Sequence, residues 1–322
     1  MKRFLSATLI ALVVLLPSMT QAKVTHLLPK PHEITETGST FALGRPVTIT
    51  YTGGAEECTQ LENFFIGNGC EIAETGGTPV GVSLVASIDG AYDYTLAGFD
   101  NEAYTLSVTS DAIEITAVKP IGVIRAAQTL AQLAEGYSEG EAAIETVEIT
   151  DWAAFKLRGF MHDVGRSFIE LETLKKHIDL LSRFKVNCFH WHFTENQAWR
   201  FEVDGYPELT SAASMTRFAG KYYTQAQCAE VAAYAKERGV TIIPEIDMPG
   251  HSEAFTRAMG FDMQTDDGVE VLLAVLTQVT DIFPDAPYIH IGADEKAITY
   301  TDADGKGFLS IMTDHIHNLG KK

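Results

Sequence analysis

The second half of the chain repeats one pattern, in which a short apolar segment is followed by a segment whose apolar residues have helical spacing. The apolar segments are KLRGFMHDV, VNCFHWHF, VTIIPEIDM and YIHIGADE. The first is followed by a helical pattern over about 171–184, with a stripe formed by Leu171, Leu174, Ile178 and Leu181. Repeated βα units with nearly continuous apolar strands predict a parallel sheet covered by helices.

The first half of the chain follows a different pattern. PVTITYTGG alternates and stops at glycines, AYTLSVTSDAIEITAV reads as a hairpin, and GVIRAAQTLAQLA has helical spacing. The sequence therefore predicts three parts: an export signal over 1–22, a small α+β domain over 23–150, and a βα domain over 151–322.

Residues 1–22 have the layout of an export signal. Lys2 and Arg3 form a basic N-terminal region, an apolar stretch runs from Leu9 to Leu16, and Thr20-Gln21-Ala22 resembles a cleavage site with small residues. No later segment reaches the roughly 20 apolar residues of a membrane span. We expect an exported protein, periplasmic, on the cell surface or secreted; an uncleaved membrane anchor is the alternative.

Charge and cysteine content limit the partners of the chain. The formal net charge of −19 repels phosphate backbones, which argues against a nucleic-acid partner. The four cysteines form no CxxC pattern, so the sequence does not predict a structural zinc site. Cys58 and Cys70 could pair in an oxidising compartment, but their spacing leaves that open. Oligomeric state is also left open.

Polar, reactive residues follow every predicted strand of the second half. In parallel βα folds the chemistry lies at the carboxyl ends of the strands, so these side chains are expected to converge on one pocket. A solvated sheet edge, with acids in structural ion pairs, is the plainer alternative. The residues are Asp163 and Arg166; His190, His192, Glu195 and Asn196; Glu245, Asp247 and His251; and Asp294 and Glu295.

Two kinds of chemistry fit these residues. Adjacent carboxylates suit glycosidic bond cleavage, in which a protonated acid meets the leaving oxygen and a second group steadies the cationic sugar ring. Trp191 and Trp199 could stack on sugar faces, or could simply pack in the core. The alternative chemistry is a metal-dependent hydrolase, with His190 and His192 joined by His251 and Asp294 as ligands.

Several of these segments resemble family-20 glycoside hydrolases, the β-N-acetylhexosaminidases. YIHIGADE is similar to the hallmark His-x-Gly-(Gly/Ala)-Asp-Glu of the family, and RGFMHDVGRSF to its first-strand motif. NCFHWHFTENQAWRFEVDGYPELT and VTIIPEIDMPGHSEAF resemble the second- and third-strand segments. AYTLSV and AAQTLAQLA resemble the domain that precedes the catalytic one. The resemblance implies a (β/α)₈ TIM-barrel type catalytic domain after a small α+β domain.

The resemblance also implies roles for particular residues. It implies that the substrate's own N-acetyl group is the nucleophile of a retaining reaction, with a terminal N-acetylhexosamine glycan as substrate and no cofactor or metal. Glu295 would protonate the leaving oxygen and then activate water, and Asp294 would hold the acetamido N–H. Arg166 would hold sugar hydroxyls. The residues expected to support these groups are His192, Glu195, Asp247 and His251.

This chain departs from the family pattern in two respects. Where the family has two adjacent acids, it has Glu195-Asn196, so the role of Asn196 is open. It also carries about four βα units, whereas a closed barrel needs eight. We therefore expect an incomplete copy of a longer protein, and little activity from these 322 residues alone. A truncated gene product and the association of two halves are the alternatives, and a catalytically incompetent sugar-binding remnant is the second functional interpretation.

Overall fold

The computed structural model describes residues 26–92, 96–135 and 143–322, so the predicted export signal lies outside the described residues. This part of the chain has two large hydrophobic cores and a small cluster of Phe99, Cys188 and Ile243. One large core is built from residues between Leu27 and Ile149, and the other from residues between Val164 and Ile316. None of the helices described is both long and apolar enough to cross a membrane.

The first domain is a mixed sheet with two helices. The sheet has the strand order β1-β6-β4-β5-β3-β2, and β4 and β5 form the predicted hairpin, with Tyr104 opposite Ala117. Cys58 and Cys70 are buried here as free thiols. The elements are β1 (Glu33–Ala42), β2 (Val47–Thr52), α1 (Thr59–Gly67), β3 (Thr78–Leu84), β4 (Tyr104–Val108), β5 (Ile113–Ala117), α2 (Pro120–Glu135) and β6 (Ala143–Asp151).

Helix α2 joins the two domains. Its apolar face, which includes Leu130, belongs to the first core. Its polar face meets the second domain, where Arg125 Nη2 donates to Gly239 O at 2.8 Å and Gln128 Nε2 donates to Ser182 Oγ at 2.8 Å. The buried Arg125 also pairs with Glu102 at 2.7 Å, so its charge is compensated. The two domains therefore share a specific polar interface.

The second domain is built on three parallel strands in the order β7-β8-β9, with helices outside. These strands and the helices α3, α4, α6 and α7 confirm the predicted βα alternation, whereas α5 and two 3₁₀ turns, Pro207–Thr210 and Ala212–Ser214, were not predicted. The elements are β7 (Gly159–Asp163), α3 (Leu171–Arg183), β8 (Cys188–His192), α4 (Gln225–Glu237), β9 (Thr241–Glu245), α5 (Glu253–Met259), α6 (Asp266–Ile282) and α7 (Phe308–Asn318).

The prediction of a fourth full strand at YIHIGADE is wrong. Only one bridge forms, between Glu245 and His290, and the pairing beyond it is limited to a few backbone hydrogen bonds such as Met248 N to Ile291 O at 3.0 Å. The backbone then turns out of the extended region, because Gly292 has a φ of +64°. Glycine adopts that conformation without a steric cost, and it ends the strand.

The register of the three strands arranges the site. Side chains alternate between the two faces of a strand, and Phe189 and Trp191 of β8 face the helices in the second core. The opposite face carries polar groups. There, Asp163, His192 and Glu245 lie side by side on adjacent strands. This polar row forms the floor beneath the strand ends.

Candidate active site

His251 lies at the centre of the acidic residues that follow the strands. Its Nδ1 lies 2.6 Å from Asp247 Oδ2, and its Nε2 lies 3.1 Å from Glu295 Oε2. The same ring has Glu195 Oε1 at 3.7 Å and Asp294 Oδ1 at 3.8 Å. The structure thus brings four of the seven predicted site residues around the imidazole of a fifth, His251.

The contacts of His251 imply a shared proton. A carboxylate can only accept a hydrogen bond, so each ring nitrogen facing an ionised carboxylate must carry a hydrogen. With Asp247 bonded to Nδ1, either His251 is doubly protonated or Glu295 holds the proton. Burial lowers the pKa of His251, but the hydrogen bond to Asp247 and the nearby Glu195 and Glu295 carboxylates outweigh it, so the pKa lies above its ordinary value.

This pKa can be tested directly. We expect the His251 ring to titrate above about 6.5 in proton NMR, and Asp247→Asn to lower the midpoint because the largest favourable contact is weakened. A raised folded-state pKa stabilises the fold below about pH 6.5, and that contribution is lost as the pH rises through the folded pKa. Asp285→Asn, a change at an exposed carboxylate, serves as control. An unchanged midpoint in Asp247→Asn would contradict the assignment.

Arg166 stands on the opposite side of the site, in the loop after β7. Asp163 anchors it twice, with Oδ2 2.7 Å from Nη1 and Oδ1 2.9 Å from the backbone nitrogen, and Glu195 contacts its other amino group. Gly165 allows this approach, because a Cβ there would lie 2.6 Å from the Glu195 Cβ. Burial raises the pKa of Glu195. Arg166 is nevertheless about half exposed, so part of its guanidinium is open to a ligand.

Asn196, whose role the sequence left open, caps helix α5. Its side-chain Oδ1 accepts a hydrogen bond from Glu253 N at 3.2 Å, and its carbonyl accepts one from Arg257 Nη2 at 2.5 Å. A side-chain oxygen at a helix start satisfies a backbone N–H that otherwise has no partner. Asn196 therefore ties the loop after β8 to the helix that follows His251, and this role needs no negative charge.

Glu245 contacts three histidines, and sequence reasoning placed it among the strand-end residues of the pocket without giving it a role. His190 Nε2 lies 2.5 Å and His192 Nδ1 lies 2.6 Å from Oε2, while His290 Nδ1 lies 3.1 Å from Oε1. Burial raises the pKa of Glu245, but these histidines outweigh it and hold the pKa far below its usual range. The histidine of the His-x-Gly hallmark was the available signal for this network.

The predicted His192 thus acts on Glu245 rather than on the open site. His192 is buried, and burial lowers its pKa, but the neighbouring Glu245 raises it above the ordinary value. The metal-ligand set proposed from the sequence is not assembled. Among the residues described, no cluster of metal-ligating atoms joins His190 to His251 or Asp294.

The acid pair is more exposed than the pocket prediction implied. The side chain of Asp294 is 64% exposed and that of Glu295 is 76% exposed. The backbone carrying them is unusual, because Ala293 has a φ of +76° and Glu295 a φ of +58°. Left-handed non-glycine residues cost roughly 1–3 kcal/mol each and tend to cluster at functional sites. The segment thus holds Glu295 towards His251 at an energetic cost.

Two glycines let the acid-bearing segment approach the loop of β9. A Cβ at Gly250 would lie 2.5 Å from Asp294 O, and one at Gly292 would lie 1.8 Å from Asp247 Oδ1. Gly292 also has a positive φ, which a side chain would strain. These two hallmark glycines therefore bring Asp247 and the acid pair into range of the same histidine.

Gly292→Ala is expected to lower the free energy of unfolding by about 3 kcal/mol, the sum of left-handed strain and overpacking against Asp247. The matched control is Gly305→Ala, which has a similar φ of +82° but nothing within 4 Å of the new Cβ, and which should cost only about 1 kcal/mol. Urea unfolding measures both. If both variants lost the same free energy of unfolding, the new Cβ at position 292 would not be overpacked against Asp247.

Of the two interpretations of the tryptophans, packing in the core is correct for both residues, and stacking on a sugar is not supported. Trp191 and Trp199 are fully buried. Trp191 packs edge-on against Tyr223 at 4.9 Å between ring centroids, and Trp199 donates its indole N–H to Phe201 O at 2.7 Å. Neither ring has a free face for a ligand.

Comparison with known proteins agrees with the fold and the site. Residues 24–152 match the family described as glycosyl hydrolase family 20, domain 2, and residues 155–264 match glycosyl hydrolase family 20, catalytic domain. The chain is 33% identical to a beta-hexosaminidase of Porphyromonas gingivalis, over 84% of this chain and 39% of that protein. It is 34% identical to a beta-hexosaminidase of Vibrio furnissii, over 86% and 49%.

Solved structures give the same result. The exo beta-N-acetylglucosaminidase of Vibrio harveyi, in complex with N-acetylglucosamine, aligns with a TM-score of 0.76 at 25% identity, over 93% of this chain and 54% of that chain. The beta-N-acetylhexosaminidase of Bacteroides fragilis aligns with a TM-score of 0.71 at 29% identity, over 91% and 60%.

The fold and the site place the chain in the class of β/α-barrel glycoside hydrolases. The chain contains part of the barrel and the domain that precedes it. The chain belongs to glycosyl hydrolase family 20, which confirms the resemblance seen in the sequence. It spans 39% and 49% of the length of the two curated relatives described above.

Proposed function

We propose that the protein carrying this chain is an exo-acting β-N-acetylhexosaminidase. It removes terminal β-linked N-acetylglucosamine or N-acetylgalactosamine from glycans, with retention and with the substrate's acetamido group as nucleophile. The relatives from Porphyromonas gingivalis and Vibrio furnissii are named beta-hexosaminidases, and the Vibrio harveyi structure is titled as an exo beta-N-acetylglucosaminidase. The observation that carries the proposal is the contact of Glu295 with a histidine that a buried aspartate holds.

Glu295 acts as the general acid and then as the general base. Its carboxylate is exposed, so a leaving oxygen can reach it, and His251 lies 3.1 Å behind it as a proton-holding partner. Asp247 fixes the orientation of that ring from the other side at 2.6 Å. Mere sugar binding would not require such a proton relay, so the chain is better read as part of an enzyme than as a binding remnant.

Asp294 orients the acetamido group of the substrate. Asp294 Oδ1 lies 3.8 Å from His251 Nδ1 and Glu295 Oε2 lies 3.1 Å from His251 Nε2, so both carboxylates approach one ring. A retaining reaction with a carboxylate nucleophile needs that group across the scissile bond from the acid. With the two acids together, the amide of the sugar is the better-placed nucleophile. Asp294 accepts its N–H and stabilises the positive charge of the cyclic intermediate.

Arg166 binds hydroxyls of the terminal sugar. Asp163 and Glu195 hold its guanidinium in one orientation and raise its pKa despite partial burial, so it stays charged. A pre-oriented cation loses little entropy when a hydroxyl binds. His192 supports the site indirectly by holding Glu245 in the floor below.

The proposal is tested with a thiazoline analogue of the bicyclic intermediate, which is stable to hydrolysis. Transition-state and intermediate mimics bind about 10²-fold or more tightly than substrates. We expect such an analogue to inhibit competitively, well below the substrate KM, in a protein that carries this chain at the length of its relatives. Hydrolysis that is indifferent to the analogue would rule out participation by the acetamido group.

A further inference from the structure

Three side chains with metal-ligand atoms meet on the polar face of the second domain, below the catalytic acids. We call His190, Glu245 and His290 the interior histidine cluster. Its candidate ligand atoms all lie within 4.8 Å of one another. His190 Nε2 is 2.5 Å from Glu245 Oε2, and His290 Nδ1 is 3.1 Å from Glu245 Oε1. Glu245 is buried, His190 is partly exposed and His290 is about half exposed.

The interior histidine cluster borders the proton relay, because Glu245 and Asp247 belong to one group of ligand atoms within 4.8 Å of one another. His251 contacts Asp247 and Glu295, and none of the contacts described above joins it to a member of the cluster. The cluster residues also come earlier in each segment than the catalytic ones, since Glu245 ends β9 and His290 forms the only bridge of the next segment. A ligand held by the cluster therefore sits beside the catalytic centre, in the floor of the site.

One atom of the cluster has conflicting hydrogen-bond partners. Gly292 N donates to His290 Nδ1 at 3.1 Å, and Glu245 Oε1, which can only accept, lies 3.1 Å from the same nitrogen. A bare Nδ1 satisfies Gly292 and faces a carboxylate oxygen with its lone pair, whereas a protonated Nδ1 satisfies Glu245 and loses Gly292. A cation between the nitrogen and the carboxylate removes the repulsion of the first arrangement.

From this geometry we propose that His190, Glu245 and His290 form a binding site for a zinc-class divalent cation. Two imidazoles and one carboxylate are a ligand set that proteins use for zinc, with a fourth position left to water. Ligand bonds of about 2.0–2.2 Å at tetrahedral angles put ligand atoms roughly 3.3 Å apart. The separation of 3.1 Å between His290 and Glu245 is close to that value, whereas the 2.5 Å between His190 and Glu245 would have to widen by about 0.8 Å when the cation binds.

The surroundings of the cluster favour zinc-class ions over calcium or magnesium. Two of the three donors are imidazole nitrogens, which suit zinc, whereas calcium and magnesium prefer oxygen ligands. His190 lies on β8 and Glu245 on β9, adjacent parallel strands, so two ligands are held on a rigid scaffold. His192 Nδ1 also lies 2.6 Å from Glu245 Oε2, the oxygen that His190 contacts. No catalytic step is assigned to the cation.

The test uses a protein that carries this chain at the length of its relatives, stripped of metal by a chelator and titrated with Zn²⁺ alone by calorimetry. We expect one bound Zn²⁺ per chain. His290→Ala should weaken binding by at least about 100-fold, since even the loss of an outer-shell partner costs roughly 10–100-fold. His190→Gln is the second variant, and circular dichroism checks that both variants remain folded.

The matched control is His162→Ala. His162 lies on β7 and contacts His177 at 2.7 Å, a histidine pair without a carboxylate. Binding of Zn²⁺ should be unchanged in this variant. The proposal is overturned if the chain binds no Zn²⁺, if folded His290→Ala and His190→Gln bind as the parent does, or if His162→Ala loses binding equally. Zn²⁺ binding is measured without hydrolysis, so the result does not depend on the proposed enzymatic activity.

Discussion

Glu295→Gln is expected to lower kcat on a natural N-acetylglucosamine disaccharide by about 10³-fold, within the range of positioned general acid–base catalysis. Glutamine keeps the size of the side chain but cannot deliver a proton to the leaving oxygen. The loss should be smaller for substrates with acidic phenol leaving groups, which depart with less help. Affinity for a non-hydrolysable ligand should be nearly unchanged. Steady-state rates on both substrate types, in a protein at the length of its relatives, measure these effects.

The control for this change is Glu172→Gln. Glu172 lies on α3 and is 77% exposed, compared with 76% for Glu295, so the two variants remove equally solvated carboxylates. Glu172→Gln should leave all rates unchanged. An undiminished rate of Glu295→Gln on the natural disaccharide would remove Glu295 from the role of general acid.

Asp294→Asn is expected to raise the activation barrier by about 3 kcal/mol, or about 10²-fold in rate, the scale of losing one preorganised transition-state contact. The amide retains the size of the side chain but loses the charge that stabilises the cyclic cation. The affinity for a thiazoline analogue should fall in parallel, because that ligand has the same ring and is bound through the same contact. The kcat of the variant measures the first effect, and the inhibition constant of the thiazoline analogue measures the second.

Asp285→Asn is the matched control for Asp294→Asn. Asp285 is 62% exposed and Asp294 is 64% exposed, and Asp285 pairs with Lys236 on the surface, away from the acid cluster. Exposed ion pairs of this kind contribute little to stability, so Asp285→Asn should leave both kcat and the affinity for the analogue unchanged. A fall in kcat without a fall in affinity for the analogue would mean that Asp294 does not contact the acetamido group.

Sequence patterns predicted the elements whose stability comes from local features. The stripe that includes Leu174 and Ile178 gave α3 almost to the residue, and the alternation around residues 104–117 gave the hairpin. In both cases periodicity alone fixes which face is buried. The polar residues that follow the three strands also converged as expected, because parallel strands of one sheet end at the same edge.

Other features depend on contacts between distant residues and left no local signal. The apolar run before Gly292 reads as a strand, but its backbone turns after one bridge, and Glu295 adopts a left-handed conformation that its residue type does not indicate. Trp199 is a residue type that can stack on sugars, but tertiary packing buries it. The cap that Asn196 provides to α5 spans 57 residues of sequence, so spacing could not reveal it.

The most direct test of the account compares two chromogenic substrates with the same nitrophenol leaving group, one a β-N-acetylglucosaminide and the other a plain β-glucoside. The two substrates differ only at the sugar's second carbon, where the amide is present or replaced by a hydroxyl. If the acetamido group is the nucleophile that Asp294 orients and Glu295 assists, the protein hydrolyses the first and leaves the second intact. Comparable kcat/KM values for the two would contradict the account.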